Sequence, residues 1–241
     1  MKAVNANFYE IEESELRYHE KRAMLKKFWG TLREKALAEN ILSAMPKAQS
    51  VLDVGSGDGY LCYAIQSEKK IFPIGCDVSI MRLKNSKKNF SNFLGVKASA
   101  FRLPFKDNCF DVVACSQLLE HLCDWRAALK ELFRVAKKSL VLTVPYRQIL
   151  IEEHCPKCGH VFTVAGHVNS FSEDSVKKAV ASLKSAKIER LFGFHTIFSY
   201  NRATMKMPRF FRLFFDKGII ALKPLFSFFK PSYLLARADK K

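Results

Sequence analysis

Three glycines spaced two apart, Gly55, Gly57 and Gly59, interrupt the stretch Val51-Leu52-Asp53-Val54-Gly55-Ser56-Gly57-Asp58-Gly59-Tyr60-Leu61. The apolar β-branched run before them, with Tyr60, Leu61, Ala64 and Ile65 at helical spacing after them, predicts strand, tight turn and helix. Backbone N–H groups of Gly55, Ser56, Gly57 and Gly59 can approach a ligand closely there, because glycine has no Cβ to hold it off. Two acids, Asp53 at the strand end and Asp58 in the turn, set the charge that such a ligand meets. Read without them, the segment would be an ordinary surface turn.

A dinucleotide fingerprint requires glycine where Tyr60 stands and places a pyrophosphate at the helix N-terminus. A carboxylate at Asp58 would repel that pyrophosphate, the more so with little water between them. S-adenosylmethionine has no phosphate and carries a cationic sulfonium, so acids at Asp53 and Asp58 suit it. Asp77 strengthens this choice. It ends the apolar run Ile71–Cys76 and lies 22 positions after Gly55, where an acid about 20 residues past the glycine turn accepts from ribose hydroxyls. Val78 follows it on the same rim.

Val51–Leu61 with Asp77, Leu103-Pro104-Phe105, Phe110-Asp111-Val112-Val113 and Leu119-Glu120-His121 resembles the class I S-adenosylmethionine-dependent methyltransferases of the broad small-molecule type. The resemblance spans roughly Ala48 to Pro145 and specifies the cofactor far better than the acceptor. It implies that Ser99 and Ala100 meet the adenine, although the acid usual after strand three is absent. It implies that Ser116 and Gln117 line the methionine end of the cofactor and the acceptor mouth. His121 has the intrinsic pKa of a general base, but Glu-His at this point is commonly structural in the family. Lys137-Lys138 replaces the family's Pro-Gly-Gly turn. Thr143-Val144-Pro145-Tyr146 lacks the Asn-Pro-Pro-Tyr segment that holds a flipped base in nucleobase amino methyltransferases.

The elements that must position these residues follow from periodicity. Strands are predicted at Ser50–Val54, Ile71–Cys76, Gly95–Ala98, Phe110–Cys115 and Ser139–Val144, and helices at Tyr60–Ser67, from Ser79 towards Phe93, and at Trp125–Ala136, capped by Asp124. Lys187–Phe194 and Ser232–Ala238 complete seven strands. The expected fold is a Rossmann-like, doubly wound α/β sheet, mostly parallel with the last strand antiparallel and helices on both faces. Glu12–Met45 reads as two helices divided at Gly30, the second opened by a Thr31/Glu34 capping box. Leu25, Phe28, Trp29 and Leu32 are expected to pack on the sheet. The whole is expected to be one domain: N-terminal helices (1–46), cofactor-binding core (47–145), an insert (146–172) and a C-terminal part (173–241).

The insert contains Cys155-Pro156-Lys157-Cys158-Gly159-His160 and Gly166-His167. Cys-x-x-Cys on a Pro/Gly turn is half of a structural zinc site, which His160 and His167 would complete. The other reading is a reduced thiol pair in a loop that shapes the acceptor pocket. Some bacterial methyltransferases resemble the insert, with one more histidine where Thr163 stands.

A formal charge of +17 and 21 phenylalanines call for an anionic partner, a nucleic acid or an acidic membrane face. Arg202–Pro231 concentrates both, with seven Lys/Arg against one acid and seven phenylalanines. Phe210, Phe211, Phe214 and Phe215 would share one helix face, which either lies in a membrane interface or covers the sheet. An odd count of seven cysteines and a polar N-terminus indicate neither a disulfide framework nor a secretory signal. We therefore expect a cytoplasmic enzyme, peripheral at the inner face of the membrane, that methylates a small-molecule or lipid-linked acceptor. The alternatives are an RNA methyltransferase and a non-catalytic cofactor-binding interaction protein.

Overall fold

The computed structural model describes residues 31–155, 158–163, 166–194 and 231–241. The first N-terminal helix and all of the basic, phenylalanine-rich stretch 202–230 lie outside the described residues. In chain order the elements are α1 (Thr31–Ala44), β1 (Val51–Val54), α2 (Tyr60–Lys69), β2 (Ile74–Asp77), α3 (Ile80–Asn89), β3 (Leu94–Lys97) and β4 (Phe110–Ser116). A 3-10 turn (Leu119–His121) leads to α4 (Trp125–Val135), β5 (Ala136–Pro145), the short strands β6 (Glu152–His154) and β7 (Val161–Thr163), α5 (Glu173–Ala181), β8 (Ala186–Phe194) and β9 (Tyr233–Lys240).

Seven of these strands form one sheet in the order β3-β2-β1-β4-β5-β9-β8. β1 to β5 pair in parallel, and β9 runs antiparallel to both of its neighbours, β5 and β8. This is the expected doubly wound arrangement with its last strand reversed. Alternation along the strands divides the core between two faces. Leu52, Val54, Val113, Cys115, Leu140 and Leu142 pack with Leu129, Leu132 and Phe133 of α4 and with Val176 and Val180 of α5. Val51, Val112, Ala114, Val141 and Leu235 face the other way, onto Leu37 and Ile41 of α1 and Leu61 and Ile65 of α2. Strands buried on both sides explain why β1 and β4 read as continuous apolar runs.

Asp124 accepts from Ala127 N at 3.0 Å and caps α4 as its position predicted. The turn expected at Lys137-Lys138 is not a turn. α4 passes directly into β5, which starts at Ala136 opposite Phe110, and Lys138 Nζ lies 3.1 Å from Asp111 Oδ1. Asp111 also accepts from Gln49 N at 2.8 Å, and this amide, ahead of the lysine charge, holds its carboxyl below the usual range.

Candidate active site

From β1 the chain winds outward through β2 and β3, then returns to place β4 on the other flank of β1. A crevice opens at the carboxyl ends of strands where the winding reverses, and the glycine turn follows β1 at that point. Gly55 N and Ser56 N donate to Cys76 O at 2.7 and 3.0 Å, which ties the turn to β2. Gly55, Gly57 and Gly59 all have positive φ, and Gly59, at +80°, begins α2. A Cβ at Gly59 would stand 2.9 Å from Ser86 Cβ, so both backbone and space require glycine there.

Asp77 fixes the turn from below. Gly57 N donates to its Oδ2 and Ser79 N to its Oδ1, each at 2.9 Å. Each carboxylate oxygen has a further lone pair for a hydroxyl donor, and Val78 links the two anchors. Ser56 Oγ is buried without a hydrogen-bond partner, a group that a bound ligand would satisfy.

Asp53 departs from the expected role of an ionised acid on the rim. It is 1% exposed and 3.4 Å from Cys62 Sγ of α2. Loss of water pushes its carboxyl up to about 7, with the Asp77 charge adding to the rise and the Cys62 thiol opposing it. It is therefore an acid that keeps its proton far above the usual carboxylate range, one that a nearby cation would ionise.

Ser99 accepts from Phe101 N at 3.3 Å, and Ala100 is buried beside it. Ser116 Oγ shares a hydrogen bond with Thr143 Oγ1 at 3.0 Å, and Gln117 N donates to Thr143 O at 2.9 Å, so β5 positions both residues. Gln117 adopts φ +54° and turns its amide oxygen to Arg33 Nη2 at 3.0 Å. Arg33 Nε also donates to Tyr233 Oη at 2.8 Å. Arg33 was not singled out from the sequence. Its contacts lie 84 and 200 positions away, and no local pattern announces them.

His121 is half-buried, and its Nδ1 is 3.2 Å from Gly166 O. Burial, then the neighbouring His167, lowers its pKa to about 4. At neutral pH it is an uncharged imidazole with a poor driving force for taking a proton. His167 lies against it edge to face, with ring centroids 4.7 Å apart. Glu120 is fully buried, and neither carboxylate oxygen has a hydrogen-bond partner. Burial pushes it up to about 8, against smaller opposing effects of its own amide and Arg33.

The expected four-ligand set of Cys155, Cys158, His160 and His167 is not brought together. β6 and β7 pair as a hairpin, and Gly159 N donates to Cys155 O at 2.8 Å, so Cys155, Cys158 and His160 lie at its tip. Cys158 and His160 are exposed there. His167 is instead half-buried, with Nδ1 on Gln148 Oε1 and its ring on His121. Among the described residues, one grouping of three His, Cys, Asp or Glu residues has ligand atoms within 4.8 Å of one another: Glu120, His121 and His167. The seven cysteines form no disulfide.

Residues 52–142 match the family model described as "Methyltransferase domain". The chain is 31% identical over 129 residues to a Methanocaldococcus jannaschii protein, covering 53% of this chain and 54% of the relative. To demethylmenaquinone methyltransferase of Streptomyces avermitilis it is 34% identical over 90 residues, 37% of this chain and 38% of the relative. The chain thus spans about half or less of the length of these curated relatives. Among solved structures, it superposes with a TM-score of 0.62 and 17% identity on a chain from the complex between the Haloferax volcanii Trm112 methyltransferase activator and a methyltransferase, covering 86% of this chain and 90% of that one. That likeness is one of fold.

Proposed function

We propose that this protein transfers the methyl group of S-adenosylmethionine to a small, lipid-linked acceptor. The observation that carries the cofactor is Asp77, whose carboxylate is held by Gly57 N and Ser79 N at the tip of β2. Held there, it can accept from both hydroxyls of a ribose. Gly55, Ser56, Gly57 and Gly59 let the turn close on the amino-acid end, Ser99 and Ala100 flank the adenine, and Ser116 and Gln117 face the acceptor. When bound, S-adenosylmethionine supplies an electrophilic methyl: the acceptor's lone pair forms the new bond to carbon, and the carbon–sulfur pair stays on sulfur.

The chain's own contribution is chiefly positioning in a site with little water, which can supply much of the rate without a dedicated base. Arg33, bridging Gln117 and Tyr233, holds α1 across this rim and limits the mouth through which an acceptor enters. Two supports favour a lipid-linked acceptor: the basic phenylalanine-rich tail, suited to an anionic membrane face, and the relatives named demethylmenaquinone methyltransferases. No helix among the described residues is long and apolar enough to cross a membrane.

Calorimetry with S-adenosylhomocysteine tests the cofactor. Wild type should bind one equivalent, and Asp77→Ala should weaken binding at least tenfold. Absence of binding, or an unchanged affinity in the variant, refutes the assignment.

A further inference from the structure

We propose that Glu120, His121 and His167 form a divalent transition-metal site beside the cofactor pocket, which seats an oxygen of the acceptor. The site is built by two segments clamped together. Val168 N and Asn169 N donate to Glu120 O at 2.8 and 3.2 Å, and Asn169 Nδ2 donates to Leu122 O at 2.7 Å and Leu119 O at 3.3 Å. These bonds bring His167 over the 3-10 turn, so that one ligand atom from each of the three residues falls within 4.8 Å of the others.

Two features fit a metal better than they fit a structural contact. Glu120 is at the bottom of the cluster, fully buried, with both oxygens lacking a hydrogen-bond partner. A carboxyl in that state is poorly compensated, and an ion between it and the two imidazoles removes the deficit. Each histidine has Nδ1 against a carbonyl oxygen, Gly166 O for His121 and Gln148 Oε1 for His167. That pairing orients the ring and puts the proton on Nδ1 and the lone pair on Nε2, the arrangement typical of ligating histidines.

Two nitrogens and one carboxylate suit zinc, manganese, iron or cobalt better than calcium or magnesium, and they leave coordination positions open. The half-buried histidines put those positions on the accessible side. The 3-10 turn that carries Glu120 and His121 adjoins the glycine turn, since Leu118, just before it, packs where a Cβ of Gly55 would stand, at 3.0 Å. With one carboxylate on a divalent ion, the site would hold a net positive charge, which an acceptor oxygen bound as its anion neutralises. The acceptor class is thus a phenol, enol or vicinal diol, whose proton passes to solvent on binding. This last step rests on the methyltransferase reading; the ion site does not.

Cobalt(II) titration of the full chain, read by visible absorption, tests the site. We expect one equivalent bound, ligand-field bands without thiolate-to-cobalt charge transfer, and at least tenfold weaker binding in Glu120→Gln and in His167→Ala. Loss of binding counts only in variants that still bind S-adenosylhomocysteine. The wild-type spectrum decides if neither variant folds, because it reports the donor atoms itself. Thiolate bands abolished by Cys158→Ser would place the ion on the hairpin and overturn the proposal, as would less than a tenth of an equivalent of cobalt, zinc or manganese bound. Failure of wild type to bind S-adenosylhomocysteine while cobalt binds would refute the methyltransferase reading and leave the ion site standing.

Discussion

Substituting Asp53 by Asn removes one titration from the centre of the sheet and leaves the shape unchanged. The carboxyl is 1% exposed, and its pKa rises from 3.8 to about 7, chiefly through loss of water. Because the folded value is the higher one, the native state keeps its proton after the unfolded chain has lost it. The stabilisation is therefore complete below about pH 4 and is lost as pH rises to about 7. The full shift of about 3 units corresponds to about 4 kcal/mol at 1.36 kcal/mol per unit. Between pH 5 and pH 8 the lost part spans about 2 units, or about 3 kcal/mol. Urea unfolding of both proteins at several pH values measures it, since every other group titrates in both and cancels in the difference. Wild type should lose about 3 kcal/mol more than Asp53→Asn over that range, through the midpoint and not through the slope. Parallel pH profiles would refute the reasoning, for they would mean that water reaches Asp53 beneath the turn. The same burial predicts that a cationic ligand near the turn ionises Asp53. Binding of S-adenosylmethionine at pH 6 should then release a proton, seen as an enthalpy that varies with the buffer.

Gly59→Ala should destabilise the fold by about 1–2 kcal/mol from the left-handed backbone alone, with more from the Ser86 contact, and should weaken S-adenosylhomocysteine binding in calorimetry. Leu132→Ala, in the fully buried centre of the α4 face, should lower unfolding free energy by about 2–5 kcal/mol without changing the affinity for S-adenosylhomocysteine. Arg33→Ala should leave that affinity within about threefold and raise the KM for acceptor, because its bonds run to Gln117 and Tyr233 and not to the glycine turn; a larger loss of cofactor affinity would contradict that placement. The full chain should co-sediment with anionic liposomes at low salt and be released by high salt, and lack of binding at low salt would count against a membrane-presented acceptor.

The sequence by itself determined the sheet and its glycine turn. Continuous apolar strands, capped helices and glycines at fixed spacing are local signals, and Asp77 announces itself by its distance from Gly55. Local pattern misjudged Lys137-Lys138, where pairing of Ala136 with Phe110 extends β5 back to the end of α4. It also grouped His167 with two cysteines because they are close in sequence. Only the tertiary structure decided otherwise, since hydrogen bonds from Val168 and Asn169 carry His167 to Glu120, about as far from it in the chain as a whole sheet crossover. The state of Asp53 and Glu120 was equally out of reach, because a carboxyl's pKa depends on the water and charges that folding removes or supplies.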